Sequence, residues 1–300
     1  MKKINEKKRR ERLAVIGNIA EAIKDGDSFR KVEIGDPKPT QRDIKRKIVP
    51  FDNLRKKTIN RIKRALARAI ANKATLMVNS ETEIVGLENL AEVKDGAIIT
   101  SNHFNPMDCT LTWLLAMCAV RENELNIVVQ ESNIFMKGFF GFLMRNCNTM
   151  PISSNLSYMA RNLKPALKEK LEGGELVLIY PEQEMWFNYK KPREFRIGAY
   201  HYAAEFGVPI IPCFAEMIET DEVDECGFYK IKYVFHVMPP IYPDESLPFR
   251  ERREKMYLLD RAAKRECYER VYGIALDDEF IPERDIAGFK KKIRIFLKNY

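Results

Sequence analysis

Hydrophobic positions change their period along this chain. In residues 54–78 (LRKKTINRIKRALARAIANKATLMV), Ile59, Ile62, Leu66, Ala69 and Ile70 recur at helical spacing, with basic residues largely on the other face. The pattern predicts an amphipathic helix with eight Lys and Arg and no acid. Residues 1–25 read as a charged helix, and Gly26, Gly35, Pro37 and Pro39 make the loop after it. Beyond Asn79 short apolar runs alternate with helical stretches. Strands are expected at 82–86, 97–100, 126–129, 176–180, 209–217 and 229–239, and helices at 107–120, 156–172, 196–206 and 251–272. This order predicts an α/β fold with a mixed, largely parallel sheet flanked by helices. It divides the chain into a basic N-terminal helix and loop (1–50), a basic amphipathic helix (51–80), an α/β domain (81–245) and a C-terminal helical extension (246–300).

Charge sharpens the picture more than composition does. An apolar share of 45% in 300 residues supplies a full globular core. Residues 1–80 hold 23 Lys and Arg against nine Asp and Glu, while the other 220 hold 28 against 34. A basic first quarter on a mildly acidic body implies docking to a polyanion, either nucleic acid or an anionic membrane surface. Helix-turn-helix spacing, a zinc knuckle and aromatic–basic RNA-binding strands are all missing, so no nucleic-acid partner is expected. The longest uncharged stretches, 109–120 and 146–160, fall short of the roughly 20 apolar residues that span a bilayer. The charged N-terminus does not read as a secretory signal. Six scattered cysteines point to reduced thiols in the cytoplasm, and three histidines leave little for a metal site, so no metal is expected. With no Gly-x-Gly-x-x-Gly, P-loop or Gly-x-Ser-x-Gly elbow, no bound cofactor is expected either.

In open α/β sheets ligands gather at the loops leaving strand C-termini. The first such loop reads Ser101-Asn102-His103-Phe104-Asn105-Pro106-Met107-Asp108. An Asp at the start of the following helix is placed to accept from His103 Nδ1, leaving Nε2 as a base for a substrate hydroxyl. The second is Tyr180-Pro181-Glu182, after the apolar run 176–179. Downstream, Lys190, Lys191, Arg193 and Arg196 form a basic cluster of the kind that holds phosphate, or else a solvated charge run. Residues 134–144, very apolar with two glycines, read as a core helix or as the lining of an acyl-chain pocket.

Taken in order, Asn102-His103-x4-Asp108, the apolar stretch ending near Met150-Pro151-Ile152, Tyr180-Pro181-Glu182 and Val208-Pro209-Ile210-Ile211-Pro212 resemble the glycerolipid acyltransferase family over roughly residues 80–220. The resemblance implies transfer of an acyl group from acyl-CoA or acyl carrier protein (acyl-ACP) to a lysolipid hydroxyl, of the 1-acylglycerol-3-phosphate type. It implies His103 as general base, Asp108 as its orienting partner, and no covalent acyl-enzyme. Asn102, Tyr180, Pro181 and Glu182 are then expected at the substrate. Two family positions differ. The third motif usually continues Gly-Thr-Arg, where this chain has Gln183, Glu184 and Met185; the second usually ends in Arg, where it has Ser153 and Ser154. Either Arg145, Lys190, Lys191, Arg193 or Arg196 replaces these arginines at the acceptor phosphate, or the acceptor lacks that phosphate, as a glycolipid or cell-envelope precursor would. In the second case Trp186, Phe187 and Tyr189 suit sugar stacking. The resemblance also implies a membrane-docking element. Arg55, Lys56, Lys57, Ile59, Arg61, Ile62, Lys63, Arg64, Leu66, Arg68 and Ile70 match it in position and chemistry. The expected location is cytoplasmic, peripherally bound to the inner face of the cell membrane.

Overall fold

The structure, a computed structural model, describes residues 4–51, 58–91, 93–121 and 124–290. Three helices come first: α1 (Glu6–Lys24), α2 (Gln41–Lys47) and α3 (Thr58–Val78). Seven strands follow, β1 (Glu83–Val85), β2 (Ala97–Thr100), β3 (Leu125–Gln130), β4 (Thr149–Ile152), β5 (Leu176–Ile179), β6 (Ile210–Val223) and β7 (Tyr229–Val237). They form one sheet in the order β1-β7-β6-β2-β5-β3-β4. All neighbours are parallel except the β6–β7 hairpin. The expected mixed, largely parallel sheet is therefore present.

The central strands show why. Ala97-Ile98-Ile99-Thr100 and Leu176-Val177-Leu178-Ile179 are apolar along almost their whole length, and β2 is buried at every position. Strands covered on both faces read as continuous apolar runs rather than as alternation. The sequence reading passed over β4, because Thr149-Met150-Pro151-Ile152 is short and holds a proline. Its place in the sheet resolves this: β4 pairs only with β3 and lies at the edge, where a missing N–H removes no ladder bond.

Helices α4 (Cys109–Cys118), α5 (Gly138–Asn146), α6 (Lys164–Glu172), α7 (Gly198–Phe206) and α8 (Phe249–Tyr272) cover the sheet. Within the helical run 156–172 the turn Met159–Leu163 is a π-helix. Gly138 and Gly141, the two glycines of the apolar stretch, have separate causes. Gly138 has a φ of +64°, and a Cβ on Gly141 would stand 1.9 Å from Met136 O. Helix α3 crosses α4, where Trp113 Nε1 donates to Asn72 Oδ1 (2.7 Å).

Helix α1 packs onto the body. From α1, Val15, Ile16, Ile19 and Ala22 bury into a second core with Trp186, Phe187, Tyr189, Cys226, Phe228 and Ile286. Three of the α1 cations are taken up by the β6–β7 turn: Lys8 pairs with Glu225, Arg12 with Asp224, and Arg9 Nη1 donates to Cys226 O (2.9 Å). Lys8 and Arg12 thus spend their charge on acids of the body.

Helix α8 braces β2. Lys264 and Asp260 form a fully buried ion pair, and Asp260 accepts from Thr100 Oγ1 (2.8 Å) and from the Tyr200 hydroxyl. Lys264 Nζ also donates to Thr100 Oγ1 (2.7 Å). Thr100 closes β2, immediately before the loop that carries His103. Removing one partner of such a pair strands a buried charge, which costs about 3–5 kcal/mol. Lys264→Met is expected to lose that much in urea unfolding, and Lys264→Met with Asp260→Leu to recover most of it. A single-variant loss below about 1 kcal/mol would contradict this account.

Candidate active site

His103 and Asp108 meet at the exit of β2. His103 Nδ1 lies 2.7 Å from Asp108 Oδ2. The same oxygen accepts from the backbone N–H groups of Phe104 (2.8 Å) and Asn105 (3.2 Å). Asp108 Oδ1 accepts from the Tyr180 hydroxyl (2.7 Å). The carboxylate turns back into its own loop and makes no side-chain cap bond to α4. The Tyr180 ring stacks on the His103 ring, with centroids 4.0 Å apart and planes 16° from parallel. Burial, and then the Asp108 charge, hold the Tyr180 phenol well above its ordinary pKa, so it stays a donor. With the carboxylate accepting, His103 carries its proton on Nδ1 and turns the Nε2 lone pair outward. The Asp108 side chain is 4% exposed and that of His103 21%. The pair is dry at its base and open at its tip.

Two loops hold this arrangement. Trp186 N donates to His103 O (3.0 Å) and Asn188 N to Phe104 O (2.9 Å). The loop after β5 is thereby stitched to the loop after β2. Glu182 works at the same seam. It is buried, pairs with Arg193 (3.0 Å), and accepts from the backbone N–H groups of Arg193 (3.2 Å) and His103 (3.4 Å).

A cavity of about 950 Å³ opens from His103, Asp108, Tyr180 and Pro181. Its apolar wall includes Met136, Phe140, Leu143, Met144, Met159 and Leu163. The stretch 134–144 therefore both packs as a helix and lines this space. Cys109 also lies on the wall, but burial, with the Asp108 charge second, pushes its thiol up to about 12, so it stays protonated.

Several expected contacts lie elsewhere. Asn102 does not face the cavity: it clamps β2 to β6 by accepting from Ala215 N (2.8 Å) and donating to Ala215 O (3.2 Å). Glu182 serves the seam just described. Arg145 caps carbonyls, donating to Ile134 O (3.1 Å) and Met136 O (2.8 Å). Lys190 donates to Arg284 O (3.0 Å), and Lys191 to Asp278 O (2.6 Å) and Leu276 O (3.3 Å). Arg193 is buried against Glu182, Ser28 O (2.7 Å) and the Trp186 ring (4.4 Å). Of the cluster 190–196, only Arg196 reaches the cavity. Its guanidinium lies 3.6 Å from the Phe29 ring centroid and donates to Gln183 Oε1 (3.2 Å). Trp186, Phe187 and Tyr189 are buried in the second core, and the Trp186 N–H is spent on Arg30 O (3.0 Å). Sugar stacking on these rings is excluded.

Helix α3, expected to dock on a membrane, is arranged only partly as its sequence pattern suggested. Arg55, Lys56 and Lys57 lie outside the described residues. Ile59, Ile62 and Leu66 are 58%, 63% and 55% exposed, and Arg61 and Lys63 are exposed beside them. Ile70 turns inward onto the core, and Arg64 donates to Asn148 Oδ1 (3.2 Å) and so faces the body. Arg68 is half-buried. The helix thus buries a narrow line through Ala67, Ile70 and Thr75 and leaves most of its larger apolar side chains outside. Among the described residues no helix is long and apolar enough to cross a membrane.

At the two motifs that depart from the family pattern, the residues of this chain are engaged within the protein. Ser153 and Ser154 both donate to Glu131, the latter at 3.1 Å. Glu184 Oε1 accepts from Gln130 Nε2 (2.6 Å). Gln183 takes a left-handed φ of 63°. That is the backbone region glycine favours, at the position where the family pattern has Gly.

Sequence reasoning missed Glu33. It reaches the cavity from the segment before α2, about seventy residues ahead of His103. Its Oε1 is buried without a hydrogen-bond partner. Its one readable signal is a carboxylate within a Gly- and Pro-marked loop, which is too common to single out.

The site is a histidine–aspartate pair at a strand exit of an α/β sheet, opening on an apolar cavity, and residues 81–216 match the Acyltransferase family. The matched stretch, a little under half of the 300 residues, contains both loops of the site. None of the curated proteins compared matches the chain. Among solved structures it is similar to the 1-acyl-sn-glycerophosphate acyltransferase PlsC of Thermotoga maritima, with 18% identity over 73% of this chain and 87% of that one and a TM-score of 0.46.

Glu33 yields a test of the site's electrostatics. Burial first, and then Asp36, raise its carboxyl to about 7, while His103, Lys31 and Arg12 oppose the rise. A carboxyl raised on folding costs stability as pH climbs from its unfolded value towards its folded one. Glu33→Gln is therefore expected to melt higher than the parent chain at pH 8, with most of that gain gone at pH 5. An equal difference at both values would contradict the burial assigned to Glu33.

Proposed function

We propose that this protein transfers a fatty acyl group from an acyl thioester, acyl-CoA or acyl-ACP, to a hydroxyl of a lysolipid. The observation that carries the reading is His103, oriented by Asp108 and Tyr180, with its free Nε2 at the head of an apolar cavity. His103 Nε2 takes the proton from the acceptor hydroxyl as that oxygen attacks the thioester carbonyl. The Asp108 carboxylate stabilises the imidazolium that results. The tetrahedral intermediate collapses, the C–S bond breaks, and the imidazolium returns its proton to the departing thiolate. An ester and a free thiol are produced. The protonated Cys109 offers no competing nucleophile. A volume near the upper end of the usual ~300–1,000 Å³ for ligand pockets suits an acyl chain.

The exposed side of α3 supports a place on the membrane surface. Ile59, Ile62 and Leu66 stand outside, with Phe139 and Phe140 of the neighbouring α5 also exposed. Phe140, Ala71 and Ala74 line the cavity as well, so this apolar face is continuous with the acyl-chain wall. Arg61 and Lys63 add attraction to anionic head groups of about 1 kcal/mol each. Acceptor and product would then pass between bilayer and cavity without crossing water. We place the protein peripherally on the cytoplasmic face of the membrane. Nucleic-acid binding is disfavoured, because Lys8 and Arg12 of α1 are already paired with the body and the chain has no nucleic-acid-binding motif.

Two results are expected. In a radiolabelled acyl-thioester assay over a lysolipid panel, His103→Ala loses about 10²–10⁴-fold in rate, as removal of a general base does. Unchanged product formation would refute the mechanism. Ile62→Asp with Leu66→Asp abolishes flotation with anionic liposomes but spares transfer to detergent-dispersed acceptor. Undiminished flotation would remove α3 as the docking element.

A further inference from the structure

The segment between α1 and α2 crosses the cavity that holds His103. At one end Arg193 Nη1 donates to Ser28 O (2.7 Å), Trp186 Nε1 donates to Arg30 O (3.0 Å), and Phe29 lies under the Arg196 guanidinium. At the other end Gln41 Nε2 donates to Ser154 Oγ (3.3 Å). Between these ties Glu33 faces the same cavity as His103 and Asp108. The segment precedes residues 81–216, so the family match says nothing of it.

The acids on the cavity wall differ in one respect. Asp36 is held by Lys31 (2.6 Å), Glu131 by Ser153 and Ser154, Glu184 by Gln130 (2.6 Å), and Asp108 by His103 and Tyr180. Glu33 alone among them keeps a buried oxygen, Oε1, with no hydrogen-bond partner in the described residues. An unpaired buried acceptor costs stability, and binding sites are where folds retain such costs. Above about pH 7, the value to which burial raises it, the Glu33 carboxyl is ionised and only accepts hydrogen bonds, so its missing partner is a donor. The wall's cations do not offset this. Lys31 is committed to Asp36, and Arg196 is stacked on Phe29 and bonded to Gln183. A phosphomonoester, doubly charged and made only of acceptors, would meet the Glu33 carboxylate with repulsion.

We propose that the Glu33 carboxylate binds the head group of the acceptor, receiving a hydrogen bond from a hydroxyl or ammonium group beside the hydroxyl that His103 deprotonates. The acceptor is then a lysolipid whose head group donates hydrogen bonds and carries no phosphomonoester. This deepens the acyl-transfer reading and rests on it for the word acceptor. Glu33 selects among head groups, while His103 and Asp108 carry out the proton transfer.

Binding of single-chain probes by the full chain tests this without turnover. At pH 8, where Glu33 is ionised, dodecyl glucoside, dodecylammonium and dodecyl phosphate, each below its micelle threshold, are titrated calorimetrically into the parent chain, Glu33→Ala, Glu33→Gln and His103→Ala. The parent and His103→Ala are expected to bind the glucoside or the ammonium probe at least about tenfold tighter than the phosphate, and whichever of the two is preferred identifies the donor. Glu33→Ala should lose about tenfold for that probe and gain for dodecyl phosphate. Glu33→Gln, which keeps an acceptor oxygen, should retain glucoside binding but lose ammonium binding. A role for Glu33 in packing alone would weaken all three probes alike and would overturn the proposal. So would tighter binding of dodecyl phosphate by the parent chain, or a Glu33→Ala variant indistinguishable from it. Transfer assays with the matching monoacyl lipids separate the two readings. Head-group selection that follows Glu33 without acyl transfer would sink the enzymatic reading and leave the Glu33 contact standing.

Discussion

The site depends on where one carboxylate is held. Asp108 accepts from the His103 ring, two backbone N–H groups and the Tyr180 hydroxyl. Hydrogen bonds to a charged group contribute about 1.5–3 kcal/mol each, and losing any one here would leave a buried charge poorly solvated. That cost explains the surrounding construction. Three of the four donors belong to the loop after β2, and the fourth, the Tyr180 hydroxyl, comes from the exit of β5, so the two central strands must end in register. β2 and β5 pair from Ala97 with Leu176 to Thr100 with Ile179, which sets that register. Glu182, paired with Arg193, then ties the second loop back to the His103 backbone.

Elements outside the α/β core serve the same constraint. Helix α8 locks the end of β2 through Thr100, Asp260 and Lys264. Helix α1 completes the second core, on which Trp186, and with it the loop after β5, is seated. The basic residues that looked free are the fasteners of this assembly: Arg193, Lys190 and Lys191 spend their donors on carboxylates and carbonyls inside the protein. A charge run read along the chain does not show which members are already committed to partners far away in sequence. Arg196 escapes only because it lies on the cavity wall rather than beneath it.

The parts legible in the sequence were the local ones. The apolar run of β2 and the spacing of His103 and Asp108 lie within a dozen residues, and both survive as structure. The alternation of strands and helices revealed the sheet class, but Pro151 concealed β4, because a proline is acceptable only at an edge and edges are set by the whole sheet. In α3 the periodicity was real, yet amphipathicity states that a face is apolar and not what covers it. Ile62 and Leu66 face outward, while Ala67 and Thr75, smaller and less conspicuous, face the body. Glu33, Asp260 and Lys264 could not be placed from sequence. Each acts on a loop 60 or more residues distant, and nothing in its own neighbourhood marks it.

The account stands on His103 being a base whose Nε2 is kept free by Asp108. Nitrogen-15 shifts of the His103 ring in the resting protein test this most directly. The hydrogen bond to Asp108 predicts that the ring proton sits on Nδ1 with Nε2 free, and that the tautomer changes in Asp108→Asn, where an amide N–H replaces the accepting oxygen. A parent-chain ring protonated on Nε2 alone, or a tautomer indifferent to Asp108→Asn, would contradict it.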